Sequence, residues 1–257
     1  MSLLVLPNEL LLIIAGHLDS KRDIEALGRT NKLLGQIATK ALYQHNANHE
    51  NSSALWAARR NRLDVVEEML KCKADINVRD RNGLTSLLLS VKHGTIRMFE
   101  MILDRKPDLY LMGDWYPSSN VAVGPALFEA AWKGHPRKVK LLLDHGADVN
   151  HQRRSATRSG ANALETSIAT GLCDIAKILL DHGADIEKCG GIGIPLNVAI
   201  LGGKIEIVKD LLGRGANING LDDDNGTPLQ IAVSHNIMDA ARLLLGRGAD
   251  INAIGRH

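Results

Sequence analysis

Aromatic residues make up only 3% of this 257-residue chain. A core built around packed rings is therefore excluded, and Leu, Ile, Val and Ala must supply the buried surface. Cysteine is scarce as well: Cys72, Cys173 and Cys189 are an odd number with no Cys-x-x-Cys pair. That argues against a disulfide framework and fits free thiols in a reducing compartment. No charge sign dominates, since 31 basic residues face 29 acidic ones for a net charge of +2. A nucleic-acid binder, which needs a clustered basic face, is not expected. No apolar run approaches the ~20 residues of a membrane span. The apolar start of the chain lacks a positive leading region and is split by Pro7, Asn8 and Glu9, so it does not read as a signal peptide. The expectation is a soluble protein of the cytoplasm, the nucleus or both, without a membrane or nucleic-acid partner.

What is present is a repeat. The stretch Leu142-Leu143-Asp144-His145-Gly146-Ala147-Asp148-Val149-Asn150 returns with small changes around Ala184, Ala216 and Ala249, at spacings of 37, 32 and 33 residues. A period near ~33 residues marks a solenoid of stacked supersecondary units. Aligning earlier apolar anchors gives Ala54, Leu87, Leu127, Leu164, Leu196 and Leu229, each followed 20 residues later by Ala74, Pro107, Ala147, Ala184, Ala216 or Ala249. A constant offset with variable joins implies two helices of fixed length per unit.

Within the third copy, Leu127, Ala130 and Ala131 lie at i, i+3 and i+4 on one helix face, with Gly134 as the stop. Val139, Leu142 and Leu143 form the apolar stripe of a second helix, which Gly146 ends. Thr227 and Pro228 read as N-cap and first helical residue in the sixth copy.

The run Asp80-Arg81-Asn82-Gly83-Leu84-Thr85, the start Thr227-Pro228-Leu229 and the recurring Gly-Ala-Asp-Ile-Asn resemble ankyrin repeats. The resemblance covers Asn51 to His257. It implies an all-α solenoid of about six helix-turn-helix units with finger loops: 51–79, 80–112, 120–152, 158–188, 190–221 and 222–257. The His usual after the anchor is replaced by Leu55, Leu88, Phe128, Glu165, Asn197 and Gln230. The inter-turn hydrogen bonds of that His are accordingly expected to be missing and the array less stable. No polar capping helix follows the sixth copy, so the last unit is expected to fray or the native chain to continue.

Residues before Asn51 do not follow the period. Leu6-Pro7-Asn8-Glu9-Leu10 places Pro at a first helical position and an acid in the first turn, and Leu10, Ile13, Ile14 and Leu18 make an apolar face. A second short helix is expected from about Asp23 to Gly28, and a third from Asn31 toward Tyr43. Leu-Pro-x-Glu-Leu-Leu, Asp23-Ile24-x-x-Leu27, Thr30-Asn31-Lys32 and Leu42-Tyr43 together resemble an F-box. The domains are then a three-helix F-box-like segment over 1–46 and an ankyrin domain over 47–257. The resemblance implies docking onto the Skp-type adaptor subunit of a Skp–cullin–F-box ubiquitin ligase through Leu6, Pro7, Glu9, Leu10, Ile13 and Leu18. Three short helices bury too little apolar area to stand alone, which favours a partner. The alternative is a stand-alone ankyrin scaffold or inhibitor whose N-terminal helices only cap the array.

No catalytic constellation is visible, and no enzyme activity, metal or cofactor is expected. Gly190-Gly191-Ile192-Gly193-Ile194-Pro195-Leu196 departs from Gly-x-Gly-x-x-Gly at Leu196 and reads as a flexible finger. Asp222 to Gly226 lacks the first ligand and the terminal Glu of a calcium loop. His145 and His182 recur one unit apart where later copies carry Arg214 and Arg247, as cations at helix C-termini. The ankyrin resemblance puts the target, a protein of unknown identity, on the fingers and the exposed side of the first helices. There stand Arg59, Lys92, Trp132, Ala169, Leu201 and Ser234, with Lys133 beside Trp132. A long join before Leu127 holds Tyr110, Trp115, Tyr116 and Pro117, too aromatic for a solvated linker. Arg59, Lys92, Trp115, Tyr116, Trp132 and Lys133 are the expected target contacts, and Trp115, Tyr116 and Trp132 are expected to form one aromatic patch.

Overall fold

A computed structural model describes residues 52–71, 75–113, 115–116, 121–152, 160–221 and 226–253. The F-box-like segment, with Leu6, Pro7, Glu9, Leu10, Ile13 and Leu18, lies outside the described residues. The chain divides into two compact units between Val123 and Gly124.

Among its described residues the first unit holds two helix pairs. They are α1 (Ser52–Arg59) with α2 (Leu63–Lys71), and α3 (Ser86–His93) with α4 (Ile96–Leu103). Thr85 caps α3 by accepting the Leu88 N–H, and Thr95 caps α4 by accepting from Met98. The core is aliphatic apart from Phe99: Met69, Leu87, Leu88, Met98 and Ile102 are fully buried around it. The aromatic join carries the one strand pair among the described residues, besides an isolated bridge between Gln152 and Asn162. Its β1 (Trp115–Tyr116) pairs antiparallel with β2 (Val121–Ala122), Trp115 opposite Ala122.

The described residues of the second unit hold four pairs. These are α5 (Ala126–Trp132) with α6 (Pro136–Asp144), α7 (Ala163–Ala169) with α8 (Cys173–Asp181), α9 (Pro195–Leu201) with α10 (Ile205–Gly213), and α11 (Pro228–Ser234) with α12 (Met238–Gly246). Inner helix packs on inner helix and outer on outer, successively along the unit. Ala130, Ala131, Ala199 and Ala232 are buried at these contacts, where small side chains let backbones approach. Gly146 and Gly183 end their outer helices in the left-handed region, at φ 84° and 81°. Ala147 and Ala184 then donate back to Leu142 and Leu179 carbonyls, closing the helix end.

The Gly-Ala-Asp-x-Asn signature has a physical basis in the fingers. Asp148 Oδ1 accepts the Asn150 N–H at 2.9 Å, a local turn repeated at Asp75, Asp108, Asp185, Asn217 and Asp250. The residue two further on then reaches the next finger. Asn77 Oδ1 accepts from Asp108 N–H at 2.9 Å in the first unit. In the second, Asn150 accepts from Asp185 at 2.8 Å, Glu187 from Asn217 at 2.7 Å and Asn219 from Asp250 at 3.0 Å. The repeated Asp shapes each finger, and the repeated Asn ties it to its successor.

The expectation that inter-turn bonds are missing is overturned at two positions. The Glu165 side chain is fully buried and accepts the Gly190 N–H, the Gly191 N–H at 3.1 Å and the Ile192 N–H at 3.4 Å. Gln230 donates to the Ala253 carbonyl at 3.2 Å while its Oε1 accepts the Thr227 N–H, completing a capping box. A carboxylate and an amide thus do what a ring nitrogen would have done. The glycine-rich finger is correspondingly a cradle around Glu165 rather than a free loop. A Cβ at Gly190 would stand 2.5 Å from both carboxylate oxygens, so any other residue there must displace the Glu165 carboxylate.

Candidate protein-interaction surface

The inner helices bury the anchors Leu87, Leu127, Leu164, Leu196 and Leu229 and a small residue three further on, Ser90, Ala130, Ser167, Ala199 and Ala232, and the position five after the anchor falls at the helix end. In the first unit Arg59 is exposed and bonds Asp80 at 2.7 Å, tying one repeat to the next finger. Lys92 is half-buried and already engaged. In the second unit the same register brings Trp132, Ala169, Leu201 and Ser234 to the surface, with Trp132 44% and Leu201 50% exposed. The surface is charged and paired in one unit and largely apolar in the other.

Trp132 stands on its own helix. Its ring meets Phe128 edge-on, centroids 5.8 Å apart at 88°, and Phe128 is buried. A half-exposed Trp held by a buried ring is a pre-ordered anchor, and interface energy concentrates in such residues. Lys133 follows as the exposed C-cap residue. Trp115 and Tyr116 pair as backbone in β1, but their side chains lie outside the described residues, as does the expected patch with Trp132.

Electrostatics along the outer helices of the second unit are uneven. α8, α10 and α12 carry Asp174, Glu206 and Asp239 in their first turns, where carboxylates suit the positive end of the helix dipole. α6 carries none; its first turn is Pro136, Arg137 and Lys138. Lys138 is buried, and burial lowers its pKa. His135 is held below its ordinary value by partial burial, then by Lys138 and Lys133. At the opposite helix ends, His145 and His182 contact the Leu141 and Ile178 carbonyls through Nδ1 at 2.8 and 2.7 Å. His182 lies 3.8 Å from Asp144, and Arg214 takes Asp181 at 2.5 Å, giving a ridge of repeat-to-repeat contacts. Among the described residues no three His, Cys, Asp or Glu gather as metal ligands. No described helix is long and apolar enough to cross a membrane.

A family model for ankyrin repeats in three copies matches residues 54–153, 118–188 and 191–254. The chain belongs to the ankyrin-repeat family. Ankyrin repeats bind proteins, which is the function class the family supports. The human ASB11 ankyrin repeat domain shares the fold at a TM-score of 0.61 and 22% identity, over 77% of this chain and 85% of that one. Among curated proteins, E3 ubiquitin-protein ligase XBAT32 of Arabidopsis thaliana is 28% identical over 178 residues, 69% of this chain and 32% of that protein. Inversin of Gallus gallus is 27% identical over 150 residues, 58% of this chain and 11% of its own length. This chain spans about a third of the ligase it matches and about a tenth of inversin.

The Glu165 cradle escaped the sequence reading. A signal for it existed: an acid sits at a buried helical position one unit before a Gly-Gly pair, and burial of a carboxylate demands donors.

Proposed function

We propose that this protein is a substrate-recognition subunit of a Skp–cullin–F-box ubiquitin ligase. Residues 1–46 dock the Skp-type adaptor through Leu6, Pro7, Glu9, Leu10, Ile13 and Leu18, and the repeats from residue 47 hold the protein target. The observation that carries this reading is Leu6-Pro7-Asn8-Glu9-Leu10 in the segment N-terminal to an ankyrin array. Support comes from the ubiquitin-ligase names of the relatives XBAT32 and XBOS32, whose match covers 69% and 65% of this chain. Catalysis then consists of proximity alone, the chemistry residing in other ligase subunits, and the protein works in the cytoplasm or nucleus without a cofactor. On the target side Trp132 and Lys133 are the principal contacts, with Arg59 and Lys92 and the aromatic join at Trp115 and Tyr116 contributing.

The test is co-purification of the full chain with the Skp adaptor. Wild type should retain it, and Leu6→Asp, Pro7→Ala and Leu10→Asp should each release it while the repeats stay folded. Intact repeats that never retain the adaptor would leave a stand-alone scaffold whose N-terminal helices cap the array.

A further inference from the structure

The joints inside the second unit show what covers each repeat, and the sixth repeat presents the same surface uncovered. On the inner helices Ala131, Ile168 and Ile200 are buried, whereas their counterpart Val233 is 56% exposed. On the outer helices Leu180 is buried and Leu143 and Leu212 are half-buried, but Leu245 is 47% exposed. In the fingers Val149, Ile186 and Ile218 are half-buried, and Ile251 is 74% exposed. α11 and α12 keep their contacts with the preceding α9 and α10. The three exposed positions are therefore those that a succeeding helix pair covers in the earlier repeats. One open face carries an apolar residue on its inner helix, its outer helix and its finger.

We infer that this face is an interface between two copies of the chain, sixth repeat on sixth repeat about a two-fold axis. The second copy brings the same three uncovered apolar positions, so burial is reciprocal, as a contact between identical patches requires. Charge permits it as well. Residues 226–253 carry Asp239 and Asp250 against Arg242 and Arg247, so two such repeats meet without net repulsion. A contact one repeat wide lies at the small end of interface sizes, so pairing is weak and dilute protein is a single copy. A pair holds two target surfaces together and gains avidity for a target that is itself multivalent. Pairing needs neither the N-terminal segment nor a target, so it stands or falls apart from the ligase reading.

The test is sedimentation velocity on the full chain across about a 100-fold range of concentration. Wild type should pass from one copy to two as concentration rises. The double variant Val233→Lys/Ile251→Lys should weaken pairing about 10-fold or more. Ile251→Lys alone changes a finger residue and leaves every helix as it is, and it should weaken pairing in the same direction. Leu201→Lys adds the same charge at an exposed apolar residue of the fifth repeat and should leave pairing unchanged. The inference is overturned by wild type that stays single at every concentration, or by pairing that the double variant or Ile251→Lys leaves intact. Growth past two copies would mean head-to-tail stacking and overturns it as well. Equal weakening by Leu201→Lys would mean association through any apolar residue rather than this face, and is a further defeat.

Discussion

The fourth and sixth repeats solve the same joint in different ways. At the position after the anchor, Glu165 is fully buried and gathers three finger amides, whereas Gln230 is exposed and makes one bond to the next finger. Three residues on, Ile168 is 1% exposed and its counterpart Val233 is 56% exposed. Both helices carry a β-branched apolar residue at that position. What differs is how many inner helices lie against them: α7 packs on both α5 and α9, whereas α11 packs on α9 among the described residues. Neighbours, not sequence pattern, convert an apolar face into a core.

The sharpest way to break this comparison is Ile168→Lys set against Val233→Lys. A lysine at 168 would be buried without a partner and should cost about 3–5 kcal/mol, enough to threaten folding. The same change at 233 should stay within about 0.5 kcal/mol. Equal losses in urea unfolding would show that exposure at Val233 does not describe the protein in solution.

Next in size is Glu165→Ala, which strands the Gly190, Gly191 and Ile192 amides. It should cost about 2–4 kcal/mol, against about 1 kcal/mol for Gln230→Ala, which loses half a capping box and one bond. Hydrogen exchange should locate the first loss in the finger at 190–192; unchanged exchange there would remove Glu165 from the role assigned to it. Gly190→Ala should cost about 1–3 kcal/mol by driving a methyl into the carboxylate. Gly246→Ala, with open space at its Cβ and no positive φ, should be neutral or slightly stabilising.

The smallest expected effect is in pH. Burial raises the Glu165 pKa above its ordinary 4.5, and the Gly191, Gly190, Ile192 and Asn162 amides offset part of that rise. A carboxyl with a raised folded-state pKa binds its proton more tightly in the folded chain. Its contribution is full below pH 4.5 and is lost as pH rises through the raised value. Wild-type stability should therefore fall across that window relative to Glu165→Gln. Parallel pH profiles would mean that the amides, not burial, set the titration.

Much of the fold was legible before any coordinates. The 20-residue offset from anchor to finger fixes two helices per unit, and Thr227-Pro228 sits where a helix must begin. Trp132 could be placed on an exposed helix end from register alone. Legibility failed where meaning depends on what comes to rest nearby. Glu165 looked like a lost histidine, and the Gly190–Gly193 run looked like slack chain. Each is explained only by the other, and they lie 25 residues apart.

The sequence by itself determined the repeat, its period, its helix ends and the recurring Asp and Asn of the fingers. These follow from local rules: helix periodicity, capping, and Asx turns within a few residues. Only the tertiary structure decided which equal-looking positions are core and which are surface, that a carboxylate could stand in for a ring nitrogen, and that the repeated Asn reaches the next finger. Desolvation and hydrogen-bond satisfaction depend on neighbours distant in sequence, and the period does not encode those neighbours.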